Sequence, residues 1–441
     1  MQLEMTLELD IKITDGPMNI NGIIKAVHLY QNELGMTIIR EILETIDRRA
    51  SSEAEERFPL RYRNKGYSTR QFRTPMGKIE VRFTKFIDSW DGHACMPGKQ
   101  ALEVPAYKRW LPWCLTPAVG LLAKISFARS SAEASRLQGD APSKSTIHRR
   151  LEDLVGNGDF SPNLRKRWFR YLMVDGTGAR FQDRQKKGEP LFYEGELRFA
   201  FAAVKEDSPF ELVGMWIQKE WRECAKELYS RMNTDRLEAL ICDGGPGIED
   251  AFLLPGMRPQ RCQWHGKRDL SFILYADGAR KAEQKEFMAA FDAIPLTGLR
   301  KKDVENLRVE DGEQLTALRQ KTLHSFCDLH FFLQSKGYHK AAVYVSNLAK
   351  PFVSFIDHLL ETGKIIPTTS NIIEGKISLF KNRIKAIGKR WSEPGLLRWL
   401  AIAVKKLLPE FNWNTLWDNI TGNPLPVEIK LALVTTKPSC H

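Results

Sequence analysis

The chain has 441 residues, enough for two to four domains at roughly 150 residues each. It carries 66 Lys and Arg against 54 Asp and Glu, a formal charge of +12. Its 43% hydrophobic and 27% charged residues are ordinary for a globular protein and exclude a mainly disordered chain.

The most apolar stretch, Leu111 to Ala128, is interrupted by Pro112, Pro117 and Lys124, so no membrane span is expected. The opening MQLEMTLELDIK has no apolar core of a secretory signal, and none is expected. The seven cysteines fit reduced thiols and a cytoplasmic location. The basic excess suggests a polyanionic partner, although many proteins without one are mildly basic.

Residues 20–50 predict a helix: Ile23, Ile24, Val27, Tyr30 and Leu34 recur at steps of three and four, continued by Ile38, Ile39, Ile42, Leu43 and Ile46. From Arg57 to Arg73 there are six Lys/Arg and no acid, interleaved with Tyr62, Tyr67 and Phe72. Gly77 to Phe86 alternates like a strand. Residues 1–110 thus read as a small basic module with β structure, either a solvated face or a contact for DNA backbone.

Over 111–160 the pattern is helical. Ser131–Leu137 predicts a short helix, QGDAP a turn, and Ser143 the cap of a second helix from Lys144 to about Leu154. This is a helix-turn-helix pattern, which any helical hairpin shares. If it binds DNA, nucleoid association follows, and Lys144, Ser145, His148, Arg149 and Arg150 would meet bases and phosphates.

Next come an apolar run ending in VDGTG (170–181), two strands at 197–204 and 211–218, a helix from Trp221 to Met232, and a strand 237–248 that again reaches Asp-Gly. A fifth strand, RPQRCQWH, covers 258–265. This element order is that of the ribonuclease-H-like α/β (α+β) fold. The strand signal then vanishes until about residue 366. A structureless loop that long is improbable in a compact domain, so 266–366 is read as an all-α insertion. Helices follow from Ser370 or Asn371 and from Leu396 to about Leu408. The catalytic domain would comprise 165–265 and 367–410, with an irregular tail over 411–441.

Asp175 and Asp243 each close a buried apolar run and precede glycine. Asp-Gly is a common turn, but a carboxylate at the end of a buried strand is costly unless paired or metal-bound. Two such ends on adjacent strands suit a two-cation phosphoryl-transfer site. Glu374, one turn into its helix, fits as the third carboxylate, and equally as a first-turn acid favoured by the helix dipole. Lys381 lies two turns further on the same face and could hold a phosphate. Cys262 and His265 form a Cys-x-x-His pair. No second pair follows at zinc-finger spacing, Cys327 with His324 or His330 joining only by long-range folding, so zinc is not expected.

The blocks VDGTG, CDGGPGIEDAF, PQRCQWHGKRDL and TTSNIIEG occur in the order seen in Mutator-type transposases of bacterial insertion sequences, and residues 170–410 resemble that family. The chain departs from its pattern with Asp269 after Arg268, where Asn is usual. One residue is also inserted between Thr369 and Asn371. The resemblance implies a DDE transposase with Asp175, Asp243 and Glu374 binding two Mg²⁺ or Mn²⁺ ions. It also implies accessory roles for Cys262, His265, Arg268 and Asn371, and synapsis of two double-stranded DNA ends by at least a dimer. A ribonuclease-H-like nuclease without strand transfer, or a non-catalytic DNA-binding derivative, are the alternatives. Lys376 to Lys406 holds nine Lys/Arg against one acid, Glu393. Lys376, Arg383 and Lys385 are therefore expected to track DNA phosphates beside the site.

Overall fold

Both the alternating and the helical patterns take shape in the computed structural model. It describes residues 20–422 except 105–109, 139–140, 156–159, 161, 184–190, 206, 299–302, 305, 308–310, 388–390 and 409–410. There are two compact units. One holds the described residues up to Arg149 and those from Ile420; the other is Arg150–Asn419.

The first unit opens with α1 (Ile20–Arg57), followed by the strands β1 (Tyr62–Thr74), β2 (Gly77–Asp88) and β3 (Ala94–Cys95) and the helix α2 (Pro97–Ala101). Met36, Ile39 and Leu43 of α1 pack against Phe72, Ile79, Val81 and Phe83 of the hairpin. The Thr84 amide and hydroxyl both donate to buried Asp47, at 2.8 Å each. The earlier part of the same helical stripe, Ile20, Ile24, Val27 and Tyr30, stays exposed.

The basic run is less uniform than its composition suggests. Arg61 donates twice to Asp88, at 2.8 and 2.6 Å, and lies 4.3 Å from the Trp90 ring centre. The acid missing from the run comes from the next strand. Arg63 and Lys65 are exposed.

Three helices follow: α3 (Pro112–Leu122), α4 (Phe127–Gln138) and α5 (Lys144–Val155). The helix α4 begins four residues ahead of the expected Ser131. The Thr146 amide donates to Ser143 Oγ at 3.3 Å, the cap expected from sequence. Gly139 and Asp140 of the expected turn lie outside the described residues. The helix α5 crosses the boundary between the units.

The second unit continues with β4 (Leu164–Trp168), β5 (Tyr171–Asp183), β6 (Leu191–Ala203), β7 (Glu211–Ile217), α6 (Trp221–Ser230), β8 (Met232–Asn233), β9 (Ala239–Cys242), α7 (Ile248–Phe252) and β10 (Arg258–Arg261). Five of these strands form one sheet in the order β10-β9-β5-β6-β7. β5, β9 and β10 run parallel, and β6 is antiparallel to both its neighbours. Leu172, Val174, Leu240 and Cys242 bury one face with Leu228 and Phe252 from the helices. This is the mixed α/β order expected from the sequence.

Two details differ. The glycines after Asp175 make no turn: β5 runs on to Asp183, paired residue by residue with β6, Asp175 opposite Phe199 and Gly178 opposite Glu196. The long antiparallel partner keeps offering ladder bonds, and only the parallel pairing to β9 stops. The fifth strand ends at Arg261 instead of His265. Cys262 is extended, and its carbonyl accepts the Gly266 amide at 2.9 Å, so the Cys-x-x-His pair opens a helix.

That helix is α8 (Gln263–Ala276). After it come α9 (Lys281–Asp292), α10 (Gly312–Ser335), α11 (His339–Thr362), α12 (Asn371–Ile387), α13 (Glu393–Leu407) and α14 (Trp413–Thr421). Among the described residues, 263–362 hold helices and no strand. Their core includes Phe291, Phe326 and Phe352, in edge-on contact. The tail expected to be irregular contains α14: Asn412 Oδ1 accepts the Thr415 amide at 3.1 Å, and Trp413 stacks on Trp417 one turn later. No helix is long and apolar enough to cross a membrane, among the described residues.

The helix α12 is anchored to the sheet by Phe380, which stacks on Phe199 with ring centres 5.9 Å apart and planes 13° from parallel. Both rings are fully buried. Replacing Phe380 by Ala is expected to cost about 3–5 kcal/mol, read as a lower urea midpoint at unchanged slope.

Candidate active site

Parallel pairing of β5 with β9 runs from Tyr171↔Ala239 to Val174↔Cys242. The next residues, Asp175 and Asp243, therefore stand at one level on strands about 4.8 Å apart. Asp175 is buried, with 7% of its surface exposed, and its Oδ1 accepts the Gly176 amide at 2.7 Å. Asp243 is half-buried, and its Oδ1 accepts the Gly245 amide at 2.9 Å. Past Asp243 the chain turns through Gly244, whose φ is +83°. That backbone conformation is what calls for glycine, and the Arg261 guanidinium occupies the space a Cβ would take.

The third carboxylate comes from α12. The amides of Ile373 and Glu374 donate to the Ser370 carbonyl at 2.9 and 3.1 Å, and the Ser370 hydroxyl donates to Glu374 Oε1 at 3.0 Å. His265 Nδ1 lies 3.5 Å from the same oxygen and 3.4 Å from Ser370 Oγ. The Ser370 amide donates to Cys262 Sγ at 3.3 Å, and the Gln263 amide to the Thr368 carbonyl at 2.9 Å. These bonds clamp the starts of α8 and α12 together and fix Glu374 beside Cys262 and His265. The sequence places Ser370 or Asn371 at the start of this helix, but the contact of Ser370 to sulfur is tertiary and leaves no sequence signal.

Burial, reinforced by the charge of Asp243, pushes the Asp175 carboxyl up to about 7. The Gly176 amide and His265 oppose this, and Glu374 adds to it. At Cys262 burial disfavours the thiolate, but hydrogen bonds with His265 and Ser370 outweigh it and hold the thiol below its ordinary value. Burial likewise disfavours charged His265, and contact with Cys262 outweighs it and raises the imidazole. Among the described residues no lysine or arginine forms an ion pair with Asp175, Asp243 or Glu374, and His265 lies 3.5 Å from Glu374. A buried carboxylate whose proton is held by burial and a neighbouring Asp fits an oxygen donor for a divalent ion, and such chemistry suits Mg²⁺ or Mn²⁺.

The other expected residues are placed unevenly. Arg268 pairs with Asp269 at 2.8 Å and lies 5.3 Å from the Trp264 ring centre, so it is not bonded to the carboxylates. Asn371 is exposed at the first position of α12, and Lys381 and Lys385 are exposed along it. Lys376 does not face outward as expected. Its ammonium donates to the Phe210 carbonyl at 2.6 Å and lies 5.7 Å from the Phe201 ring centre. Four residues before Phe380, it shares the sheet-facing side of the helix. Arg383, seven residues after Lys376, is half-buried.

In the first unit, Lys144, Ser145 and Arg149 are exposed on α5. His148 is half-buried, with its ring 5.5 Å from that of Phe127. Arg150, on the same helix beyond the unit boundary, is also half-buried.

No family model matches the sequence, and no curated protein matches it. Among solved structures, the chain is similar to the Drosophila P element transposase strand transfer complex at a TM-score of 0.34 and 12% identity, over 67% of this chain and 92% of that one. A likeness of that size fixes neither a fold family nor an activity.

The electrostatics of Asp175 give a stability test. An unfolded Asp ionises near 3.8 and the folded one near 7, so the folded state holds the extra proton between these values. The resulting cost is absent below about pH 4, grows through that window and is complete above pH 7. Asp175→Asn, in metal-free buffer, is expected to be more stable than the parent by roughly 2–4 kcal/mol at pH 8. The gap should close toward pH 4 in urea titrations.

Proposed function

We propose that this chain is a DDE transposase with a ribonuclease-H-like core, cutting DNA strands at element ends and joining them to a target. The reading is supported by Asp175 and Asp243 at one level on paired parallel strands, with Glu374 on the first turn of a packed helix near enough for its charge to raise the Asp175 carboxyl. The sheet order and the chain order of the motif blocks support it, and the blocks favour a Mutator-type member.

Two Mg²⁺ or Mn²⁺ ions, when bound, would supply an activated oxygen and neutralise charge on the phosphate being transferred. Asp175, Asp243 and Glu374 would hold them. The protein's own share is positional. The Gly245 amide fixes the Asp243 carboxylate, and Ser370 fixes that of Glu374. Lys381, exposed on the Glu374 side of α12, would hold a flanking phosphate. Water first attacks a phosphodiester and the 3′-oxygen leaves. The freed 3′-hydroxyl then attacks a target phosphodiester in line and the target strand's own 3′-oxygen leaves as a hydroxyl, with no covalent link to protein. Joining two ends calls for at least two copies of the chain.

Single substitution of Asp175, Asp243 or Glu374 by Ala should abolish Mg²⁺-dependent cleavage and strand transfer on labelled duplexes carrying the element's ends. Duplex binding in the same variants should stay close to that of the parent. Full activity in any of the three overturns the assignment, and cleavage without transfer in the parent would mark a nuclease.

The exposed side chains of α5 give a second test. Replacing Lys144 and Arg149 together by Ala should weaken duplex binding and flatten the slope of log affinity against log salt by roughly 2, measured by fluorescence anisotropy across a salt series.

A further inference from the structure

We propose that Cys262, His265 and Glu374 form a site for a thiophilic transition cation of the Zn²⁺ class, distinct from the all-oxygen pair. It stands on the cluster itself and not on the strand-transfer reading. One sulfur, one imidazole nitrogen and one carboxylate oxygen lie within 4.8 Å of one another, and among the described residues this is the one group of three such donors. The spacing of Cys262 and His265 puts both on the opening turn of α8, and the clamp to Thr368 and Ser370 brings the third donor from α12.

The geometry is close to what such an ion needs. Donors about 2.0–2.3 Å from a tetrahedral ion lie roughly 3.3–3.7 Å from one another. His265 Nδ1 and Glu374 Oε1 are already 3.5 Å apart. Closing the widest separation takes a shift of about 1 Å, within reach of one rotamer adjustment. Cys262 and His265 are buried at 0% and 4% exposure, which shuts the site on the protein side. The Glu374 side chain is 31% exposed and leaves a way in for the ion and room for a fourth, water ligand. Ser370 is the outer support: its amide donates to the sulfur and its hydroxyl to the carboxylate, the kind of contact that orients metal ligands.

The donor set also selects the ion. Sulfur and imidazole favour Zn²⁺ and Co²⁺, and Mg²⁺ takes oxygen ligands almost alone. Glu374 is also the third carboxylate of the proposed all-oxygen set, and a thiophilic ion would hold it where it already lies, beside Cys262 and His265.

The test is a Co²⁺ titration of the metal-stripped full-length protein. One equivalent should produce the near-ultraviolet thiolate-to-cobalt absorption and the strong visible bands of a tetrahedral ion. Equimolar Zn²⁺ should abolish both, and a large excess of Mg²⁺ should leave them. Cys262→Ser and Glu374→Gln should lose or shift the bands. Ser370→Ala should weaken Co²⁺ binding roughly tenfold, and Cys327→Ser, which alters an exposed thiol, should change nothing. No thiolate band in the parent, or one that survives Cys262→Ser, overturns the proposal. The parent titration decides even where a buried-site variant fails to fold. Asp175→Ala should keep the cobalt bands, so loss of cleavage and loss of this site are separate results.

Discussion

Hydrogen bonds between parallel strands leave no freedom in register, and at the centre of this sheet that rigidity fixes the distance between two acids. Pairing of Val174 with Cys242 sets two carboxylates side by side at the next position. Neither side chain chooses its neighbour; the apolar faces of Leu172, Val174, Leu240 and Cys242, buried together, choose it for them. A slip of one residue would turn those side chains to the other face of the sheet. The cost of that error falls on the core, so the packing of the sheet protects the spacing of the acids.

The third carboxylate depends on a different kind of restraint. Glu374 sits on a helix held to the sheet by aromatic stacking at Phe380 and held to another helix by polar contacts at Ser370. Stacking sets how far α12 lies from the sheet. The contacts of Ser370 set how the helix is rotated and where the carboxylate points. A buried hydroxyl serves here better than a charged partner would, because it orients the carboxylate without neutralising it and leaves its second oxygen available.

Much of this is legible in the sequence, for identifiable reasons. Apolar runs that stop at Asp175 and Asp243 disclose strands whose next residue faces an opening, and the spacing of Glu374 from Ser370 discloses a first-turn acid. What escapes is what partners decide. The length of β5 is set by β6, so a pair of glycines that reads as a turn becomes part of a strand. Cys262 and His265 read as a pair in want of ligands because the third member arrives from α12. The inward turn of Lys376 is implicit in its spacing from Phe380, but a run of basic residues draws attention to charge and away from helix phase. The helix α14 depends on the cap that Asn412 provides, a signal one residue wide.

The chain leaves the sheet at Gln263 and returns at Thr368, and one backbone hydrogen bond joins those two residues. Everything between is a closed excursion with adjacent ends. Closing such a loop costs free energy that grows with the logarithm of its length, about 0.6 kcal/mol for each doubling. The length of chain in the excursion therefore adds little entropic cost. The helix α11 is the part that cannot be lost, because the buried Gln260 side chain of β10 accepts the Phe355 amide at 2.8 Å and donates to the Phe352 carbonyl at 3.3 Å. Chain can thus be added at the outer turns at small entropic cost, while α11 keeps the excursion seated on the sheet.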